Sequence, residues 1–187
     1  TPYTFYATIG AIVTAGATPK FVDIGEDYNI NANLIEDAIS SKTKAIVPVH
    51  WSGLICDMDS IRGIADRHNL FIVEDACHAI KATYKGTGAG SLGDLGCFSF
   101  HPLKNLNIWG DGGFIVTNKK TLAKKLYLIR NHDLKDRNNV KIFGYNSRLD
   151  TIQAAVANYK MKNKLDNITN KRIKNAKILD KLLSKNK

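Results

Sequence analysis

The chain has 187 residues, a formal net charge of +10, 44% hydrophobic and 24% charged residues, the profile of a globular domain with a sizeable core. No apolar run approaches the roughly 18 residues that a membrane-spanning helix needs. The start, Thr1-Pro2-Tyr3-Thr4-Phe5, has neither the basic nor the apolar region of a signal peptide. It also has no initiator methionine, and so reads as part of something longer. Cys56, Cys77 and Cys97 are odd in number and widely spaced. They form neither a disulfide framework nor a zinc pattern, and read as buried free thiols of a cytosolic protein. The charge is uneven: residues 1–118 hold 8 Lys/Arg against 12 Asp/Glu, and residues 119–187 hold 19 against 5. The lysines of residues 160–187 are scattered among Asn, Asp and Leu, with no interleaved aromatics beyond Tyr159. That pattern fits a solvated helix face, not a nucleic-acid surface. An anionic small substrate is a second use for the positive potential.

In chain order, residues 5–15 read as a helix stopped by Gly16. Lys20–Ile24 reads as a short strand. Asn33 is placed to cap a helix running to about Ser40, with Glu36 in the capping-box position. Ala45–Val49 is an apolar strand run, and Asp59 or Ser60 starts a helix to about His68. Leu70–Val73 is a buried strand ending at Glu74-Asp75, and Cys97–Phe100 and Gly113–Thr117 are two more. Helices are expected at about 120–131, 150–163 and 166–184, the last with an apolar stripe of Ile173, Ala176, Leu179 and Leu183. Apolar strands alternating with amphipathic helices predict an α/β fold whose mainly parallel sheet lies between helices. Ligands of such sheets sit beyond the carboxyl ends of the strands. Those ends carry His50-Trp51, Glu74-Asp75 and His101-Pro102-Leu103-Lys104. The glycine run Gly86-Thr87-Gly88-Ala89-Gly90 lacks the helix that a nucleotide loop needs and reads as a bend. Cys77-His78 beside Asp75 is too compact for a metal site.

These residue types suit pyridoxal phosphate (PLP). That cofactor needs a lysine for its aldehyde, a carboxylate for its pyridine nitrogen, hydroxyls or N–H groups for its phosphate and an aromatic cover. Asp75 follows one strand, with His78 three residues on. Lys104 follows another, with Ser99 five residues before it, and Gly110-Asp111-Gly112-Gly113 makes a tight turn into the next.

The segments Glu74–Ala79, Gly90–Asp94, Cys97–Asn105 and Gly110–Gly113 resemble the DegT/DnrJ/EryC1/StrS aminotransferases. So do Pro48–His50, Asp57–Asp59, Arg130–His132, and Gly144–Asp150 with Gln153–Ala155. The motifs stand in the family's order and cover nearly the whole chain. The resemblance implies the PLP-dependent transferase fold type I (aspartate-aminotransferase-like). Residues 1–165 would be the PLP-binding large domain, incomplete at its N-terminus. Residues 166–187 would be a connecting helix toward a small C-terminal domain outside this chain. It further implies Lys104 as the Schiff-base lysine and proton shuttle, Asp75 as the partner of the pyridine nitrogen, and His78 on the ring-oxygen side. Ser99 would be a phosphate hydroxyl and Phe5 the aromatic over the ring. Asn146 would reach the neighbouring subunit's cofactor phosphate, hence a homodimer with shared sites. The implied activity is transfer of an amino group from an amino acid, glutamate or glutamine, to a nucleotide-linked ketosugar, in polysaccharide or amino-sugar biosynthesis in the cytoplasm. The alternatives are a PLP-dependent sugar dehydratase of the same family, against which Lys104 argues, and a non-catalytic binding protein.

Overall fold

The computed structural model describes residues 1–136, 139, 140 and 143–184. They divide into two compact units, Thr1–Ser99 with Gly113–Arg148, and Phe100–Gly112 with Leu149–Lys187.

The first unit opens with helix α1, Tyr6–Thr14, stopped at Gly16 in the left-handed region (φ 78°). A 3-10 turn, Ala32–Leu34, leads into the short α2, Ile35–Ala38. Strand β1 is Ala45–Ile46, helix α3 is Met58–His68 and strand β2 is Phe71–Asp75. A small hairpin follows, β3 Thr83–Tyr84 with β4 Thr87–Gly88. Then come β5 Leu95–Ser99, β6 Gly113–Val116, α4 Lys120–Ile129, β7 Leu134–Asp136 and β8 Asn139–Val140. The main sheet has the order β1-β2-β5-β6. The first two pairings are parallel and the third, β5 with β6, is antiparallel. The sheet is thus mixed but mostly parallel. The second unit holds α5, Thr151–Asn163, and α6, Leu165–Leu183.

The core of the first unit follows from the period of α3. Met58, Ile61, Ile64 and Ala65 recur at helical spacing and are buried with Ile46 of β1 and Ile72 of β2, together with Ile30, Ile35 and Cys56.

Several local expectations are corrected. Lys20–Ile24 is not a strand: only Ile24 pairs, as an isolated bridge to Ile30, because no neighbouring strand completes a ladder. The Ala45–Val49 strand is two residues long, with Val49 bridging Asp75. Asn31, not Asn33, caps the turn before α2, accepting from Asn33 N at 3.1 Å. Asp57, not Asp59 or Ser60, caps α3, its Oδ1 accepting from Ser60 N at 3.3 Å. The run Gly86–Gly90 is no simple bend but supplies the turn and second strand of the β3–β4 hairpin. Of the three free cysteines only Cys56 is fully buried.

At the centre of the sheet Glu74 is a completely buried carboxylate. Its Oε2 accepts from Gly90 N at 2.7 Å and from His50 Nε2 at 2.9 Å. Its Oε1 accepts from Leu92 N at 2.8 Å and from Gly93 N. His50 is equally buried, and its Nδ1 accepts from Cys56 N at 3.3 Å. An Nδ1 that accepts an N–H carries no proton, so His50 is the neutral tautomer with its proton on Nε2, donated to Glu74. Gly90 and Gly96 allow this closeness: a Cβ on Gly96 would stand 2.1 Å from Gly90 Cα, and Gly90 itself has φ +83°. The segment Gly90–Asp94 is pinned a second time by buried Asp94, which accepts from Ile72 N at 2.7 Å and pairs with Lys119.

Burial pushes the Glu74 carboxyl up, but the hydrogen bonds from His50, Gly93 and Gly90 outweigh it and leave it below the ordinary glutamate range. A carboxyl whose folded pKa is depressed contributes stability above its unfolded pKa of about 4.3 and loses it as pH falls through the folded value. Glu74→Gln is therefore expected to lower stability at pH 7 by about 3 kcal/mol. It should also flatten the loss of stability below about pH 4.3, leaving the share due to Asp57 and Asp94, whose carboxyls are held low too. Urea midpoints from pH 7 to pH 3 measure both effects. Asp57→Ala, which removes the cap of α3, should cost about 1 kcal/mol in the same assay.

Candidate functional site

The candidate side chains Phe5, Asp75 and His78 of the first unit gather where α1 begins and β2 ends. Phe5 is the N-cap residue of α1, and its carbonyl accepts from Thr8 N at 3.1 Å. One turn in, the Thr8 hydroxyl donates to Asp75 Oδ2 at 2.6 Å and lies 3.0 Å from the Thr4 hydroxyl. With its proton given to Asp75, Thr8 must accept from Thr4. Asp75 is the last residue of β2. Its Oδ1 accepts from Cys77 N at 3.1 Å, and its backbone is tied on one side by Asp75 N to Pro48 O at 2.9 Å and His50 N to Asp75 O at 3.0 Å. Each carboxylate oxygen has one of these donors and keeps lone-pair capacity for another. The Asp75 carboxylate is thus oriented before any ligand arrives, and suited to a cationic N–H.

His78 is half-buried, its ring 5.4 Å from that of Trp51. The Trp51 loop comes this close because Gly53 has φ +90°, where a Cβ would meet the His78 carbonyl at 3.0 Å. Ser99 ends β5 opposite Gly113 of β6, two residues beyond Cys97, the pairing partner of Asp75. Burial, with the Asp75 and Glu74 charges, pushes the Cys97 thiol up to about 11, so it is a protonated neighbour and no nucleophile. Phe5 is 60% exposed, its ring 4.5 Å from that of Tyr6. Asn146 is exposed, bridges Asn131 and accepts from Arg148 Nε at 2.9 Å.

Lys104 belongs to the second unit. Its backbone N donates to His101 O at 2.8 Å and its carbonyl accepts from Asn107 Nδ2 at 2.9 Å. Asn107 Oδ1 in turn accepts from Lys160 Nζ of α5 at 2.5 Å, and Asn105 Oδ1 accepts from Arg172 of α6. The loop that carries Lys104 is therefore fastened to the helices of its own unit, and the Lys104 side chain is half-buried.

The first unit thus brings Phe5, Asp75 and His78 into one neighbourhood, with Ser99 on the adjacent strand, while Asn146 is tied to Asn131 and Arg148. Sequence reasoning missed Thr8, although its place one turn after Phe5 was a signal. It placed His50 and Glu74 among the strand-end residues where a ligand would sit, whereas the structure buries both as a supporting pair. Among the described residues no group of three His, Cys, Asp or Glu side chains could hold a metal ion, and no helix is long and apolar enough to cross a membrane.

Comparison with known proteins adds the family. Residues 1–187 match the DegT/DnrJ/EryC1/StrS aminotransferase family. The chain is 47% identical to a "pleiotropic regulatory protein" of Geobacillus stearothermophilus over 98% of its own length and 49% of that protein's. It is also 47% identical to a UDP-N-acetyl-3-dehydro-alpha-D-glucosamine 3-aminotransferase of Acidithiobacillus ferrooxidans, over 82% of this chain and 42% of that one. The crystal structure of S. venezuelae DesV in complex with a ketimine intermediate superposes with a TM-score of 0.84 at 42% identity, covering 88% of this chain and 44% of DesV. The chain spans about half the length of the curated relatives it matches. The solved neighbours are PLP-dependent aminotransferases of fold type I, and the mostly parallel sheet described above is part of that fold. The chain belongs to the DegT/DnrJ/EryC1/StrS aminotransferase family.

Proposed function

We propose that the protein of which this chain is part transfers an amino group from an amino acid, glutamate or glutamine, to a nucleotide-linked ketosugar, with pyridoxal phosphate as cofactor. One observation carries the reading. In a chain of this family, the Asp75 carboxylate stands at a strand end, oriented by Thr8 and Cys77 N–H and still able to accept from a cationic N–H. The names of relatives support the substrate class: one is a UDP-sugar 3-aminotransferase, and another, of Caulobacter vibrioides, a GDP-perosamine synthase.

When bound, pyridoxal phosphate supplies an aldehyde that captures amines and a ring that accepts electrons. The residues present fit it. Asp75 would hold the ring nitrogen in its protonated form, because a carboxylate at hydrogen-bond distance favours the cation. Thr8 keeps that carboxylate from rotating away. His78 would donate to the ring oxygen, Ser99 would hold the phosphate and Phe5 would cover the ring. Lys104 would bond the cofactor at rest and, once released, serve as the base that takes the proton from the donor's Cα. Asn146 would reach the cofactor phosphate of a second copy in a homodimer. Residues 1–165 would form the large domain, 166–187 its connecting helix, and the enzyme would work in the cytoplasm on amino sugars for polysaccharides.

The full chain mixed with pyridoxal phosphate is expected to develop a visible absorption band. Borohydride should then fix the cofactor on the peptide containing Lys104, as read by mass spectrometry. Lys104→Ala should abolish both signals; a variant spectrum equal to that of the parent would sink the assignment. Thr8→Val should keep the covalent label but weaken cofactor retention about tenfold, the equivalent of one charge-assisted hydrogen bond.

A further inference from the structure

Three aromatic rings run outward from His78. The Trp51 ring lies 5.4 Å from the His78 ring, the Tyr3 ring 4.6 Å from Trp51, and the Tyr28 ring 5.5 Å from Tyr3. The outer two are open to solvent, Tyr3 at 43% and Tyr28 at 55% exposure. Single exposed aromatics are common on protein surfaces, but a contiguous row beside a candidate site is not a scatter of single residues.

The row is also built. Tyr28 has φ 64° and Ser52, next to Trp51, has φ 52°. Bulky residues avoid the left-handed region, and strain of this kind concentrates at ligand sites. The side chain that holds both loops is Asn29, 1% exposed. Its Oδ1 accepts from Trp51 N at 3.0 Å, and its Nδ2 donates to Leu54 O at 3.2 Å and to Asp27 Oδ2 at 3.3 Å. One buried amide thus fixes the Tyr28 turn and the Trp51–Leu54 turn together.

We propose that Tyr3 and Tyr28 form the stacking surface for the nucleobase of a nucleotide-linked sugar, whose sugar end lies toward Trp51 and His78. The inference rests on the aminotransferase reading above and deepens it. The reacting carbon must come to the Asp75–His78 neighbourhood, so the base, at the far end of such a substrate, lies away from it. The row extends in that sense, and it ends in exposed ring faces. Aromatic faces stack with bases through their π surfaces, an interaction that tolerates different bases and is strong enough to anchor a ligand end.

The probe is uridine diphosphate with the full chain, read by saturation-transfer NMR and calorimetry, with a hexose 1-phosphate as the sugar-only arm. Saturation should be strongest on the uracil protons. Tyr28→Leu and Tyr3→Leu should each weaken uridine diphosphate by about tenfold, whereas Tyr28→Phe, which keeps the ring, should bind like the parent. Circular dichroism and urea midpoints verify that each variant is folded, and Tyr3→Leu stands in if the strained Tyr28 position does not tolerate leucine. Unchanged affinity in the leucine variants, or saturation confined to the hexose phosphate arm, overturns the proposal. Cofactor uptake in the same preparation separates the two levels. Uptake without uridine diphosphate binding overturns the stacking surface alone, and absence of uptake overturns the enzyme reading beneath it.

Discussion

One buried carboxylate organises the first unit. Glu74 accepts four hydrogen bonds, three from backbone N–H groups of the Gly90–Gly93 turn and one from His50. An ionised carboxylate without partners would be far too costly in this position. With four donors it becomes a point through which distant segments must pass. The turn before β5, the strand β2 and the loop that begins at His50 are all located by it. The same His50 donates its backbone N–H to the Asp75 carbonyl, so the support and the candidate ligand-binding carboxylate share one frame. Gly90 and Gly96, which almost touch, belong to this constraint, since any side chain on Gly96 would push the turn off Glu74.

Much of the first unit was legible in the sequence. The apolar runs around Ile72 and Phe98 read as strands, and so they are, although β5 is mostly half-buried, and the helix expected up to His68 buries Ile61, Ile64 and Ala65 on one face. Asp75 stood out because it closes such a run. What escaped depended on partners far along the chain. The β-rich stretch Lys20–Ile24 found no strand to pair with. Asp57 prevailed over Asp59 and Ser60 as a cap because its carboxylate also accepts from the Ser60 and Tyr84 hydroxyls. Glu74 and Asp75 look alike in the sequence, and only tertiary packing tells which of the two enters the core.

The second unit has a different character. In α6 only Leu165 is buried, while Ile173, Leu179 and Leu183 of its apolar stripe are exposed, as are Ile178 and Leu182 beside it. The unit's buried apolar residues are Phe100, Leu106, Ile108, Ala157 and Leu165, and polar ties, Lys160 to Asn107 and Arg172 to Asn105, also hold the Lys104 loop against its own helices. The segment carrying the candidate reactive amine is thus positioned both by the burial of Leu106 and Ile108 and by hydrogen bonds.

The adjacency of Glu74 and Asp75 has a wider consequence. Successive residues of a strand face opposite sides of the sheet, so one peptide bond separates the residue that secures the architecture from the residue proposed to meet the ligand. On the proposed reading, changes among Thr8, Trp51, Tyr3 and Tyr28 would alter what is recognised while the hydrogen bonds of Glu74 stay in place. Changes at His50, Gly90 or Gly96 would disturb the buried network itself. A scaffold partitioned in this way can diversify its chemistry of recognition while its foundation stays constant.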